Sequence, residues 1–222
     1  MTEVSQYINQ KQSAGTDTLV AKDSLNLLHF FRIDSEPYGL TFAEWTAKWW
    51  KWLLEQPTDS NPAIDDTGKN CAKNQNDPNV WFLAGTFGGK AERTCTIPEG
   101  KAILVSPINY ICSFAQDTDC KTEAELIARA KSEMDIITRM NVVTDGTRVT
   151  SLKDYRIRSP LFNLRFPENN VLRVAPGETQ AISDGYWIFL LPLAPGKHDI
   201  YSFGSCMAGK IKIEVTYHLI VG

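Results

Sequence analysis

The sequence lacks the segments and charge patterns that mark membrane and nucleic-acid-binding proteins. No apolar run approaches the roughly 20 residues that span a bilayer, and residues 1–24 are polar, without the apolar centre of a secretory signal. Lys and Arg are scattered in a chain of net charge −3, so we expect no basic face for nucleic acid. We therefore predict a cytoplasmic protein, or an exported one that is already processed, with neither membrane nor nucleic acid as a partner.

Motifs of several enzyme classes are also absent. The sequence has no G-x-S-x-G elbow, no phosphate-binding P-loop and no dinucleotide-binding G-x-G-x-x-G. The histidines, His29, His198 and His218, are far apart and show no zinc spacing. Segment 57–79 is rich in Asp and Asn, but not at EF-hand spacing. We expect no cofactor; calcium bound by this loop is the lesser alternative to ordinary Asx turns.

The five cysteines leave the redox state open. An odd number prevents complete pairing within one chain, and no C-x-x-C pair is present. Cys112 and Cys120 bracket a short polar stretch whose ends could meet, while Cys71 and Cys95 flank a predicted strand. The simplest expectation is five reduced thiols that pack as small hydrophobic groups.

Length and composition predict one β-rich domain. A chain of 222 residues, 43% hydrophobic, can bury a large core without staples. We predict a flexible arm over residues 1–24 and a single domain over 25–222. The apolar segment 25–33 fits either a strand or a helix. Short apolar runs between turn signals favour a mainly β, antiparallel β sandwich, jelly-roll-like. The predicted strands are 80–87, 93–97, 101–108, 158–166, 185–193, 197–204 and 210–221.

Two capping boxes predict the two amphipathic helices that cover this sandwich. Thr41 with Glu44 opens the first helix, 41–55, and a second box opens a helix over residues 122–139. Aromatic residues recur at steps of three and four in the first helix, so one face must be buried. Trp50 lies off this stripe, and we predict that it is the exposed indole, available to a second subunit.

The C-terminal third predicts the layering of the sheets. The last strand alternates apolar and polar residues, which indicates an antiparallel strand with one wet face. Residues 185–193 are apolar on both faces, so we expect a central strand between the facing sheet and the tryptophan-rich helix. Asp145 and Gly146 between two short runs predict a hairpin with a type I′ turn.

Four segments together carry a resemblance: YGLTFAEWTAKWWKW, NVWFLAGTFGG, PEGKAILVSPIN and SDGYWIFLLPLAPGKH. In these motifs the chain resembles a family of uncharacterised microbial proteins, many of them exported. The resemblance covers residues 38–222 and implies that they form one domain. It implies no activity.

Two hypotheses about function follow from the aromatic helix and the strand ends. The first is a non-catalytic module that binds a small molecule or a glycan, or that assembles with itself. Its candidate ligand-binding residues are Trp45, Trp49, Trp50, Asn109 and Tyr110. The second is a cofactor-free cyclase, isomerase or lyase, in which a buried carboxylate acts as acid or base in an aromatic pocket. Its candidate catalytic residues are Asp184, Glu44 and Tyr186.

Each candidate also has a structural interpretation. Tryptophans at helical spacing usually pack in a core, which would account for Trp45 and Trp49. The capping box explains Glu44. Asp184 precedes Gly185, a combination typical of a turn. Sequence alone leaves these alternatives open.

Overall fold

The structure is a computed structural model that describes residues 18–19, 30–206 and 211–222. It confirms a mainly β fold with two helices, α1 (Phe42–Leu54) and α2 (Glu123–Asp135). None of the helices in these ranges is both long and apolar enough to cross a membrane. The described strands are β1 (Thr18–Leu19), β2 (Phe30–Phe31), β3 (Val80–Phe82), β4 (Gly89–Ile97), β5 (Ala102–Ser113), β6 (Ile137–Thr144), β7 (Thr147–Arg148), β8 (Arg156–Arg158), β9 (Phe162–Phe166), β10 (Gly177–Leu190), β11 (Gly196–Cys206) and β12 (Ile211–Val221).

The first sheet is built around β10. This strand pairs with β5 along one side and with β9, β8 and β2 along the other, while β3 extends the sheet beyond β5. Trp187 and Phe189 of β10 join a core cluster with the tryptophans of α1. The alternate residues Ile188 and Leu190 join a second cluster, shared with the other sheet. The predicted central strand, covered by a helix and a facing sheet, is therefore confirmed.

The second sheet has the order β4-β12-β11-β6-β7. Most strand pairs are antiparallel, but β12 runs parallel to β4, and β3 runs parallel to β5 in the first sheet. The prediction of purely antiparallel sheets is therefore wrong, and both sheets are mixed. The reason is physical: parallel partners are joined by long connections, so no local turn in the sequence announces them. The jelly-roll-like topology stays a prediction.

Local turn and cap chemistry was predicted well, and the element ends less well. Asp145 and Gly146 adopt φ values of 49° and 76° in the β6–β7 hairpin, as expected. Both capping boxes form, so both helices begin where predicted. The second helix ends at Asp135 instead of residue 139, because the chain continues into β6 at Ile137.

The described residues test only a small part of the N-terminal predictions. Within the segment 1–24, Thr18–Leu19 pairs with β2, and nothing is described for the other residues. Of the ambiguous segment 25–33, Phe30–Phe31 is a strand. His29 lies outside the described residues. The boundary between arm and domain stays a prediction.

The long segment 57–79 is fastened to the second sheet. Gly68 lies so close to β4 that an added Cβ would be 2.4 Å from the carbonyl oxygen of Thr94. Next to this contact, Cys71 and Cys95 form a disulfide with their Cα atoms 5.9 Å apart. The expectation of five reduced thiols is therefore wrong. The other cysteines, Cys112, Cys120 and Cys206, are free and buried.

Candidate functional site

A cavity of about 220 Å³ lies beside the edge of β5. β3 pairs only with Ala102, Ile103 and Leu104 of this strand. In the described residues, the stretch 106–111 therefore has β10 on one side and the cavity on the other. The ends of α1 and α2, the first residues of β12, the last residue of β11 and several loop residues form the rest of the wall. The cavity thus lies beside the part of β5 that β3 does not reach.

A β-bulge shapes the β5 side of this wall. The register between β10 and β5 shifts between Tyr186 and Ile188, opposite Ser106 and Pro107. Pro107 has no backbone N–H, so it suits a position where the ladder is interrupted. The Ser106 hydroxyl donates to the Tyr186 carbonyl at 2.7 Å and holds the bulge to β10. Bulges often re-aim side chains beside functional sites, and Ile108, directly after this one, lines the cavity.

Two glycines set the position of the bulged strand. A Cβ on Gly185 of β10 would lie 2.4 Å from the Cβ of Asn109. A Cβ on Gly204 of β11 would lie 2.5 Å from the Cβ of Ile108. Ile108 and Asn109 both line the cavity. Side chains at either glycine would therefore displace the cavity wall.

Three polar atoms of residues on this wall have no hydrogen-bond partner among the described residues. They are the indole Nε1 of Trp50, the amide Nδ2 of Asn109 and the amide Oε1 of Gln116. Trp50 is 4% exposed, so its N–H is shielded from solvent. Leaving a buried donor unpaired costs free energy. Two donors and one acceptor are therefore buried, without a described partner, in residues that line the cavity.

The rest of the lining is mostly apolar and reaches the surface. Leu53, Ile108 and Met134 are buried parts of the wall. Phe87 and Ile211 also line it, and they are 47% and 44% exposed. Exposed aromatic and aliphatic side chains at this position give the cavity an apolar entrance.

Three ionisable side chains lie on the wall. Burial, together with the nearby Cys112 and Glu133, raises the pKa of Tyr110 to about 12, so this phenol stays protonated at neutral pH. Burial and the charge of Glu133 also raise the pKa of the Cys206 thiol. Glu133 is the one residue with a formal charge among the described lining residues.

The structure brings four of the five candidate ligand-binding residues together. Trp49, Trp50, Asn109 and Tyr110 all line the cavity. Trp45 does not: its indole N–H donates to the Pro37 carbonyl at 2.7 Å, and its ring lies within the core cluster. Whether the four residues bind a ligand stays a prediction.

Trp50 is not the exposed indole that the sequence predicts. Its ring packs edge-on against Trp49, with centroids 5.0 Å apart, and only 4% of the residue is exposed. It lies off the main stripe of α1, as expected, but it is part of the cavity wall and does not face solvent. The prediction failed because helical periodicity shows the face toward one layer and cannot show a second contact beside it.

None of the three candidate catalytic residues is among the residues that line the cavity. Asp184 is inside β10, not in a turn, and it is buried. Arg156 donates to both of its carboxylate oxygens, at 3.0 and 2.8 Å. Tyr186 is buried in a small cluster with Ile108. Glu44 closes the capping box, and its hydrogen bonds with Thr41 lower its pKa. Their catalytic roles stay predictions.

Sequence reasoning missed Gln116, Glu133 and Cys206 on the wall. For Glu133 a signal existed. It follows Leu126 by seven residues and Ala130 by three, so it occupies a position on the apolar stripe of α2. A carboxylate on such a stripe faces either a partner or a cavity. Gln116 follows β5 in a short turn, and no local pattern marks it.

Arg93 is the other missed residue, because a single arginine in a strand has no sequence signature. It is 1% exposed and donates hydrogen bonds through all three guanidinium nitrogens. Its acceptors are the carbonyls of Ala63, Asp65, Ala84 and Gly85 and the hydroxyl of Tyr217. Ala63 and Gly85 line the cavity, so Arg93 positions two parts of the wall from behind.

No family model, curated protein or solved structure matches this chain. The resemblance to exported microbial proteins therefore stays a prediction. In the described ranges no group of three or more His, Cys, Asp or Glu side chains is placed to hold a metal. In the long loop, Asp65 accepts hydrogen bonds from the backbone of Thr67 and Asn70, and Asp77 pairs with Lys48 at 2.7 Å.

Proposed function

We propose that this protein binds a small, largely apolar molecule in the cavity beside β5. The observation that carries the proposal is a mostly apolar cavity wall on which two residues, Trp50 and Asn109, hold buried donors with no described partner. Binding sites for small molecules combine apolar lining with a few placed polar groups. An acceptor oxygen or nitrogen of the ligand would satisfy the buried donors and gain from their shielding from water.

The cavity volume limits the size of the ligand. An engineered apolar cavity of about 150 Å³ holds benzene, so by proportion about 220 Å³ holds roughly nine non-hydrogen atoms. A larger ligand would have to extend past Phe87 and Ile211 at the entrance. The proposal therefore favours a single ring or a short branched chain over an extended ligand.

The alternatives within the same hypothesis are less well supported. A glycan presents hydroxyl groups on most of its atoms, whereas most residues of this wall are apolar. Self-assembly through Trp50 would need that indole at the surface, and it is buried. A ligand that is mainly apolar fits the wall better than either.

Benzyl alcohol is a suitable probe, since its eight heavy atoms match the estimated capacity of roughly nine. We expect its titration to shift the indole ¹H–¹⁵N resonance of Trp50, which is assigned by its loss in Trp50→Phe. Trp81 is the internal control: its indole N–H is also buried and has no partner among the described residues, but Trp81 does not line the cavity. Equal shifts at both indoles, or none at Trp50, would contradict the proposal.

A filling variant tests the location independently. Leu172 is a half-buried loop residue on the wall, and Leu172→Trp should occupy the cavity and abolish the shift. The matched control is Leu161→Trp, the same change at a half-buried loop leucine that packs on another cluster. Retained binding in Leu172→Trp, with the fold intact, would place the probe elsewhere.

Glu133 favours a second candidate, the cofactor-free enzyme. Acid–base catalysis needs a carboxylate within reach of the bound molecule, and Glu133 is the carboxylate on this wall. Asp184 is less suited, since Arg156 occupies both of its oxygens. If the wild-type protein chemically alters a natural ligand that it binds, and Glu133→Gln binds the same ligand without altering it, the enzyme is favoured over the binding module.

We also infer an oxidising compartment, and so the exported alternative over the cytoplasmic one. The Cys71–Cys95 disulfide supports it, because structural disulfides persist mainly outside the cytosol. Mass spectrometry of untreated, denatured protein after thiol alkylation should find three modified cysteines of the five. Five modified cysteines would favour the cytoplasm.

A further inference from the structure

Glu133 has no counter-ion among the described residues, unlike its neighbour Asp135. Asp135, two residues on, pairs with Lys131 at 2.5 Å and with Arg156 at 2.7 Å. No hydrogen bond or ion pair joins Glu133 to another described residue, although it is half-buried on the cavity wall. A partly buried carboxylate without a partner loses hydration and gains nothing in return.

Two arginines near α2 are already engaged. Arg129 binds Asp117 and Asp119, at 3.3 and 2.5 Å. Arg156 reaches both Asp135 and Asp184. No Lys or Arg is found among the described lining residues, so Glu133 carries the one formal charge on the wall.

The remaining wall suits the hydrocarbon part of a cation. Trp49, Trp50 and Tyr110 bring aromatic rings into the same cavity as the carboxylate. Aromatic faces attract ammonium groups, and the attraction strengthens as water is excluded. The Tyr110 phenol, which stays protonated, can donate but carries no competing negative charge.

We propose that the ligand of this cavity is a small apolar amine, whose ammonium group pairs with Glu133 while its hydrocarbon part packs against the tryptophans. This inference rests on the proposed binding function and specifies the class of ligand. The site would reject anions, because a carboxylate ligand would face Glu133 with no cation on the wall to offset the repulsion.

Three probes of one shape and different charge test the inference: benzylamine, benzyl alcohol and benzoate at neutral pH. Each is titrated while the Trp50 indole resonance is followed. We expect benzylamine to bind about tenfold tighter than benzyl alcohol, as for one charged hydrogen bond, and benzoate to bind weakest. Raised salt should reduce the preference for benzylamine, since a half-buried ion pair is partly screened.

Glu133→Gln should remove the preference, so that benzylamine and benzyl alcohol bind this variant with similar affinity. The matched control is Glu123→Gln, an exposed glutamate in the first turn of the same helix, which should keep the preference. If benzyl alcohol binds but benzylamine binds no tighter, or if Glu133→Gln keeps the preference, the amine inference is overturned and the binding function stands. If no probe shifts Trp50, the proposed function itself fails.

Discussion

Four tryptophans lie on α1, and their hydrogen bonds divide them into two groups. The indoles of Trp45, Trp49 and Trp52 donate to the carbonyls of loop or strand-end residues, at 2.7, 3.0 and 2.9 Å. Trp50 donates to no described residue and lines the cavity. The first three hydrogen bonds hold neighbouring segments against the helix, whereas the indole N–H of Trp50 has no acceptor among the described residues. The same residue type on one helix therefore serves structure on one side and, as we propose, binding on the other.

Substitutions that remove structural hydrogen bonds should lower stability more than changes at Trp50. The largest effect is expected at Arg93 of β4. Arg93→Met removes the donor to four backbone carbonyls and to Tyr217. We expect the free energy of unfolding to fall by about 4 kcal/mol, since several buried acceptors lose their partner at once. Urea unfolding measures it. Arg165→Met, at an exposed arginine, is the control and should change little. Equal effects would contradict the role given to Arg93.

The disulfide should rank next, because it fastens the loop that receives the Trp52 hydrogen bond at Lys73. Cys71 and Cys95 are 24 residues apart. Replacing both with Ala should lower the free energy of unfolding by about 3.5 kcal/mol through the entropy of the unfolded chain. Chemical unfolding with and without reductant measures it. The variant should not respond to reductant, and a wild type that also fails to respond would contradict the bond.

A matched pair of substitutions sharpens the comparison itself. Trp49→Phe leaves the Leu83 carbonyl without its donor, whereas Trp50→Phe breaks no hydrogen bond to a described residue. We expect Trp49→Phe to cost about 1–3 kcal/mol more in unfolding free energy than Trp50→Phe. Trp50→Phe should instead weaken binding of benzyl alcohol, followed by calorimetry. The division of the helix into two groups would be lost if Trp50→Phe were the more destabilising change.

The smallest effect should come from two histidines on the second sheet, away from both groups. Burial opposes the charge of His198, but its bonds to Asp145 and to the Ala194 carbonyl raise its pKa. Hydrogen bonds to Glu92 and Asp199 raise the pKa of His218. Raised pKa values mean that this stabilisation is fully present below the ordinary value of 6.5 and is lost as the pH rises through the folded values.

The double variant His198→Gln, His218→Gln should therefore be less stable than wild type at low pH. Its free energy of unfolding should approach that of wild type as the pH rises. Unfolding in urea at several values between about pH 5.5 and pH 8.5 covers the transition of an ordinary histidine. Binding at the cavity should not change. A gap that widens with pH would mean that the histidines are stabilised in their neutral form.

Local chemistry made much of this fold predictable. The Thr41–Glu44 and second capping boxes gave the helix starts, and the Asp145–Gly146 pair gave the hairpin, because each acts within a few residues. The unbroken apolar run around Trp187 correctly predicted a strand covered on both faces. The parallel pairing of β4 with β12 was not predictable, since those partners are more than a hundred positions apart and no turn links them.

The candidate site was predictable only in part, for the same reason. Trp49, Trp50, Asn109 and Tyr110 stand out by type or by strand end. Their meeting depends on the bulge at Pro107 and on where β3 stops, neither of which the strand pattern reveals. Asp184 was misplaced because its neighbour Gly185 resembles a turn residue, yet this glycine is needed where β10 approaches Asn109.

Gly185 and Gly204 also decide how this cavity can be redesigned. Each is spaced so closely against β5 that even a methyl group would collide. The sheet side of the cavity therefore has no room for larger side chains at these two positions. A library that varied Gly185 and Gly204 would return mostly misfolded chains. Useful diversity has to enter from the helical side, at α1 and α2, and from the loops at the entrance. An engineer who wants a new specificity should hold both glycines constant and randomise the opposite wall.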